Sequence, residues 1–244
     1  MTFTLAGTAN WIRRREDPLA DRLYRIIKRA TVFDAPVIPV VHLLLFHAHR
    51  AVTGLLGEVA RRLYWTPMFR ARLTGTSRHL HIAGGGIPFI SGPVTIQMGD
   101  HCRLSSAMTI SGRGRSSTPP RLTIGNNVGI GWQTTIAVGR NVVLEDNVRI
   151  GGRAFFAGYP GHPVNATDRA AGLPDTDDQV GDIILRRDVW LGTGCTVNAG
   201  VEIGAGTIVA AGSVVTKTLP AGVLAGGVPA RVIRDMSAAD RSPS

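Results

Sequence analysis

Cysteine is nearly missing from this sequence: only Cys102 and Cys195 occur in 244 residues, so no disulfide framework supplies its stability. Nothing in it calls for an oxidising compartment. Aromatic residues make up 6% of the chain and are not interleaved with its basic segment, and no recognisable binding motif accompanies that segment, so no nucleic-acid partner is expected. The thirty glycines lack the third-position period of collagen, and there is no low-complexity tract. Long apolar runs are also absent. The strongest, residues 35–46, is interrupted by Pro36 and Pro39 and falls short of the ~20 apolar residues that a spanning helix takes.

Acidic residues are scarce beside basic ones, 17 against 27, and the resulting charge of +10 is unevenly placed. Residues 1–80 hold thirteen of the Lys and Arg but only five of the Asp and Glu. Arg13, Arg14, Arg15, Arg22, Arg25, Lys28 and Arg29 precede the apolar stretch. From Val41 the apolar residues Val41, Leu45, Ala48, Val52, Leu55, Val59 and Leu63 form one helical stripe, with His47, Arg50, Glu58, Arg61 and Arg62 toward the other side. Two placements suit such a helix: packed on the rest of the protein or a neighbouring subunit, or lying on an anionic membrane with the basic segment beside it. A cleaved signal peptide fits poorly, because the charged segment is long and the stripe runs past any cleavage point.

What the sequence does have is a period of six. Leu185, Leu191, Val197, Ile203, Val209 and Val215 recur without a slip, and Val189, Cys195, Val201, Thr207 and Ser213 follow four residues after an aliphatic position. Six is neither a helix nor a strand period; it is the repeat of a parallel β-helix built from hexapeptides. The second set is small or branched, as the inner corners of a narrow prism require, and both cysteines belong to such corners as small core residues. Gly192, Gly194, Gly200, Gly204, Gly206 and Gly212 suit the tight turns. Upstream the period continues through Met98, Leu104 and Ile110, then Ile124, Ile130 and Ile136, then Val138, Leu144, Ile150 and Phe156. Residues 113–120 and 157–182 interrupt it. Loops can leave a prism without disturbing neighbouring coils, so these interruptions are where function is to be sought.

The second interruption carries Gly158-Tyr-Pro-Gly-His162-Pro-Val-Asn-Ala-Thr-Asp-Arg169. Pro163 biases His162 toward an extended conformation, and Pro160 and Gly161 make a turn that presents the imidazole at the root of the loop.

Four pieces then line up in order: Gly161-His162-Pro163 with Arg169, Asp188-Val-Trp190-Leu-Gly192, Ala211-Gly-Ser-Val-Val-Thr216-Lys217, and Gly227-Val-Pro-Ala-Arg231-Val-Ile-Arg234. With them, residues 98–234 resemble the hexapeptide-repeat acyltransferases, most closely the branch of galactoside, maltose and nodulation-factor O-acetyltransferases. The resemblance implies a mainly β chain forming a left-handed parallel β-helix, with acetyl-CoA as cosubstrate and a homotrimer whose active sites lie between adjacent prisms. It implies His162 as general base and the main-chain N–H of Thr193 as oxyanion donor. It implies Trp190 beside the acyl end, Ala211 beside the pantetheine arm, and Thr216, Lys217, Arg231 and Arg234 at the nucleotide end. No metal is implied: His79, His81, His101 and His162 lack the three-histidine spacing of the carbonic anhydrases that share the fold.

The departures concern the acceptor. Gly131-Trp132-Gln133 stands where the sugar enzymes carry an asparagine or aspartate, leaving Gln133 and Arg169 as candidate acceptor contacts. The basic N-terminal arm is longer than the short cap of those enzymes and suits an acceptor held at a membrane. The expected organisation is a helical arm at 1–80, an acyltransferase β-helix at 81–236 with an active-site loop at 157–182, and a flexible tail at 237–244. The expected activity is acetyl transfer to a carbohydrate hydroxyl in polysaccharide or glycolipid assembly, in the cytoplasm or peripherally on the inner face of its membrane. A small-molecule acceptor and a non-catalytic assembly module are the alternatives.

Overall fold

A computed structural model describes residues 5–116 and 118–236, so the tail expected at 237–244 lies outside the described residues. The chain divides into two compact units, Met1–Thr53 and Gly54–Ser244.

The six-residue period folds as expected. Every apolar residue of the period from Met98 to Val215 and every inner-corner residue named above is buried. Each six-residue side of the prism therefore contributes two inward side chains, such as Val189 with Leu191 or Cys195 with Val197. Burial raises the pKa of both cysteine thiols, which suits core residues rather than reactive ones.

Three parallel sheets result. The first holds Leu73–Thr74, Thr95–Met98, Arg121–Ile124, Asn141–Leu144, Ile183–Leu185 and Glu202–Ile203. The second runs from His81–Ala83 to Val223–Gly227, where Ala230–Asp235 folds back as an antiparallel hairpin. The third runs from Phe89–Ser91 to Val214–Val215. Sheet pairing already begins at Leu73, which sits opposite Ile96, ahead of residue 81.

Glycine turns only some of the corners. At the edge joining the first sheet to the second, His79, His101, Asn127, Asn147 and Asp188 take left-handed φ values between 55° and 63°. Asn and Asp tolerate this region because their short side chains bond locally. Here they form a ladder: Asn127 Nδ2 donates to Asn147 Oδ1 at 2.8 Å, and Asn147 Nδ2 to Asp188 Oδ1 at 2.9 Å.

In the first unit, α1 (Leu5–Arg14) is followed by α2 (Pro18–Thr31). Asp17 caps α2, its Oδ1 accepting from the N–H groups of Leu19 and Ala20 at 2.9 Å, with proline in the first turn. Leu19, Leu23, Ile26 and Ile27 fall on one side of α2, and Arg22, Arg25, Lys28 and Arg29 on the other.

The next helix differs from expectation. Pro39 opens α3 (Pro39–Ala60) instead of interrupting it, and the helix continues through a π-helical stretch, Arg61–Trp65, into α4 (Thr66–Arg70). The whole has 32 residues and is, by length and composition, long and apolar enough to cross a membrane. Nor is it a clean stripe. Val41, Leu45, Val52, Leu55, Val59 and Leu63 are exposed, but so are Val40, Leu43, Leu44, Phe46 and Leu56 on other faces. The reason is the consecutive run of apolar residues, which at 3.6 residues per turn spreads around most of the circumference. The strongly amphipathic basic element is α2.

Candidate active site

Both interruptions of the repeat leave the prism at the same edge, the one joining the third sheet to the first. Residues 113–120 separate Thr109–Gly112 from Arg121–Ile124, and residues 158–182 separate Phe155–Ala157 from Ile183–Leu185. His162 is exposed near the start of the second excursion.

The backbone around His162 is held at several points. Gly161 takes φ +80°, a value that favours glycine, and its N–H donates to Asp175 Oδ2 at 3.1 Å. The main-chain oxygen of His162 accepts from Gln179 Nε2 at 3.4 Å. Arg169, on α5 (Ala166–Ala170), donates to the carbonyls of Pro163 and Val164 at 3.0 and 2.9 Å, so this guanidinium braces the turn just after the histidine.

Asp175 is itself held by Arg113, from the foot of the other excursion. Arg113 Nε donates to Asp175 Oδ1 at 2.7 Å and a terminal guanidinium nitrogen donates to the Asp175 main-chain oxygen at 3.0 Å. The two side chains are only 6% and 4% exposed. The remaining guanidinium nitrogen meets Asp177 Oδ1 at 2.5 Å, and this contact holds the Asp177 carboxyl below its usual range. A buried ion pair thus ties the prism to the turn that presents His162. Sequence reading missed it, because Arg113 and Asp175 lie 62 residues apart and no local spacing links them.

The other residues implied by the resemblance fall into two groups. Thr216 and Lys217 follow Val214–Val215 and are exposed on the His162 edge. Trp190, Thr193, Ala211 and Gln133 belong instead to the second sheet or to the edge joining it to the third. Trp190 is 54% exposed and stands in register with Arg149 and Ile208. Thr193 and Ala211 lie one coil apart, since the N–H of Gly212 donates to the Thr193 oxygen at 2.9 Å. Among the described residues, the N–H groups of Thr193 and Ala211 donate to nothing. Arg231 and Arg234 lie on the hairpin strand that extends the second sheet, opposite Gly226 and Leu224.

Gln133 turns its corner with φ 54°, its N–H bonded to the Ala107 oxygen at 2.7 Å, and its side chain is exposed. Beside it, Trp132 lies across Gly152, where a Cβ would come within 2.7 Å of the indole nitrogen, and Arg153 stands 5.0 Å from the ring centre. Trp132 and Trp190 share a hollow of about 500 Å³ on the second sheet with Arg103, Arg149, Gly131 and Gly151. Pro163, next to His162, lines a separate hollow of about 390 Å³ with Arg113, Arg115, Asp168 and Asp175.

Comparisons with known proteins concern the repeat domain. Residues 182–217 match the bacterial transferase hexapeptide family (six repeats). The galactoside O-acetyltransferase of Escherichia coli K12 is 36% identical over 118 residues, covering 48% of this chain and 56% of that protein. The chain thus spans just over half the length of the curated relatives it matches. Among solved structures, a mutant of AntD, an N-acyltransferase from Bacillus cereus in complex with dTDP and coenzyme A, superposes with a TM-score of 0.53 at 19% identity, covering 70% of this chain and 89% of that one. At that identity the likeness concerns the fold.

Proposed function

We propose that the chain is an acetyl-CoA-dependent O-acetyltransferase acting on a carbohydrate hydroxyl, in the assembly of a polysaccharide or glycolipid, a reading supported by the six hexapeptide repeats matched over residues 182–217. The observation that carries this reading is the placement of His162: an exposed imidazole on a turn fixed by Asp175, Gln179 and Arg169. A base must be held within reach of the proton it removes, and a braced turn does that. The imidazole takes the acceptor hydroxyl proton as that oxygen attacks the thioester carbonyl. The Thr193 N–H, having no acceptor among the described residues, is available to the developing oxyanion. Collapse of the tetrahedral intermediate expels the CoA thiolate, which the imidazolium reprotonates.

His162 and Lys217 stand on one edge of the prism, while Trp190, Thr193 and Ala211 belong to the opposite sheet and another edge. A complete site on this reading needs two prisms side by side, the His162 edge of one facing the Trp190 side of the next, which supports a closed homotrimer. Lys217 of one chain and Arg231 and Arg234 of its neighbour then meet the nucleotide phosphates. The helical unit is read as a membrane attachment. The basic side of α2 suits anionic headgroups, and the apolar circumference of α3 suits the acyl region.

The test is CoA release and acetylated product, followed over a panel of saccharides. Transfer to at least one saccharide is expected. A protein that binds acetyl-CoA yet acetylates no saccharide, while acetylating small non-carbohydrate hydroxyl compounds, removes the carbohydrate assignment. Chain mixing tests the shared site: His162→Ala and Ala211→Trp, each inactive alone, should regain activity in mixed oligomers. A site within one chain would show no recovery.

A further inference from the structure

Beyond the Arg113 brace the first excursion has no part in the chemistry above, yet its Arg113, Ser116, Thr118 and Pro119 line a hollow of about 510 Å³. Three guanidinium groups line this hollow, from Arg113, Arg121 and Arg140, together with Ser116, Thr118 and Asn141 and the single carboxylate of Asp177. They come from three separate segments. Arg121 opens a strand of the first sheet and stands in register beside Asn141, and its N–H donates to the Arg140 oxygen at 2.7 Å, which fixes the two segments together.

The charges are unequally spent. Arg113 is committed to Asp175 and Asp177. Arg140 donates to the main-chain oxygens of Asp177 and Val180 at 2.9 and 3.2 Å, and shares the negative charge of the Asp177 carboxylate with Arg113. The Arg121 guanidinium has no partner among the described residues and is exposed. The Ser116 hydroxyl and the Asn141 amide already donate to the Gly139 oxygen and to Asp182, so the excess guanidinium charge, with the Thr118 hydroxyl beside it, is what suits the hollow to an oxyanion. Arg113 and Asp177 also line the adjoining hollow that contains Pro163, the neighbour of His162. The arginine hollow thus shares Arg113 and Asp177 with the hollow beside Pro163, on the edge that carries the proposed base.

We propose that this hollow binds an anionic group on the acceptor, a phosphate or a carboxylate carried by the saccharide, and so orients a hydroxyl toward His162. The inference rests on the acyltransfer reading for its role, but the anion site itself stands on the arginine cluster.

The test uses the full-length protein with saturating CoA, so that the nucleotide end of the cosubstrate site is occupied. Inorganic pyrophosphate, glucuronate and neutral glucose are titrated separately by calorimetry. One of the two anions should bind saturably and glucose should not; which anion binds tells phosphate from carboxylate. Arg121→Gln removes a guanidinium that holds nothing in place, and should weaken that anion about tenfold while leaving CoA affinity unchanged. In the transfer assay the same substitution should raise KM for an acceptor bearing that anion, keep kcat, and leave neutral acceptors unaffected. If neither anion binds, or if Arg121→Gln binds it as the unaltered protein does, the proposal is overturned. Failure of CoA to bind would instead count against acyl transfer, with the anion titration still reading the hollow.

Discussion

Replacing Arg113 with methionine leaves Asp175 as a buried carboxylate whose remaining donor is the Gly161 N–H. With the two side chains 6% and 4% exposed, solvent does little to compensate. Breaking one partner out of a buried pair costs ~3–5 kcal/mol. The Asp177 contact adds little, because that carboxylate is 86% exposed. The cost should fall on the excursion and not on the prism, whose core contains neither residue. Hydrogen exchange resolved by segment separates the two. Amides of residues 158–182 should exchange roughly a hundredfold faster or more, the factor that ~3 kcal/mol corresponds to, while those of the coils stay protected. Turnover should fall with acetyl-CoA affinity unchanged, and Asp175→Asn in the Arg113→Met background should recover part of the loss by removing the stranded charge. Uniform loss of protection across the coils, or unchanged exchange in the loop, would refute the strut.

Other consequences can be measured directly. Lys217→Ala and Arg231→Ala should each weaken CoA binding about tenfold, less at high salt, without altering acceptor affinity; unchanged calorimetric titrations would count against the nucleotide-end assignment. The full-length protein should bind liposomes rich in anionic lipid, and Arg22, Arg25, Lys28 and Arg29 changed together to Gln should release much of it, since each basic residue near such a surface contributes ~1 kcal/mol. Indifference to anionic lipid would make the helical unit a structural element. Bonds from Thr76 and Arg78 hold Asp100 at a pKa of about 2. A depressed carboxyl contributes stability that is full above its ordinary value of 3.8 and is lost as pH falls toward 2, so on acidification the first coil should lose exchange protection over that window.

The coils were legible because one stacking rule repeats: the same two positions in six face inward from Met98 to Val215, and one interruption does not blur the next coil. Corners were half legible. Glycine announces itself, whereas the Asn127, Asn147 and Asp188 ladder is visible only once strands 20 to 41 residues apart are stacked. In the helical unit, the apolar run 35–46 was read as interrupted at Pro39, whereas Pro39 starts the helix. Motif spacing pointed to His162 and Trp190 but not to their placement on an edge and on the sheet opposite it, which depends on how many sheets each segment has passed. Arg113 with Asp175 left no sequence signal at all, because a pair joining two excursions obeys no local period.

The central claim is that His162 is the base for acetyl transfer. Its most direct test is the single-turnover rate of acetyl transfer by His162→Ala and by the unaltered protein, with acetyl-CoA saturating and with an acceptor taken from the saccharide panel. A fall of ~10²–10⁴-fold, with the melting curve and CoA affinity retained, is the predicted result. Near-normal single-turnover transfer by the His162→Ala protein would contradict it.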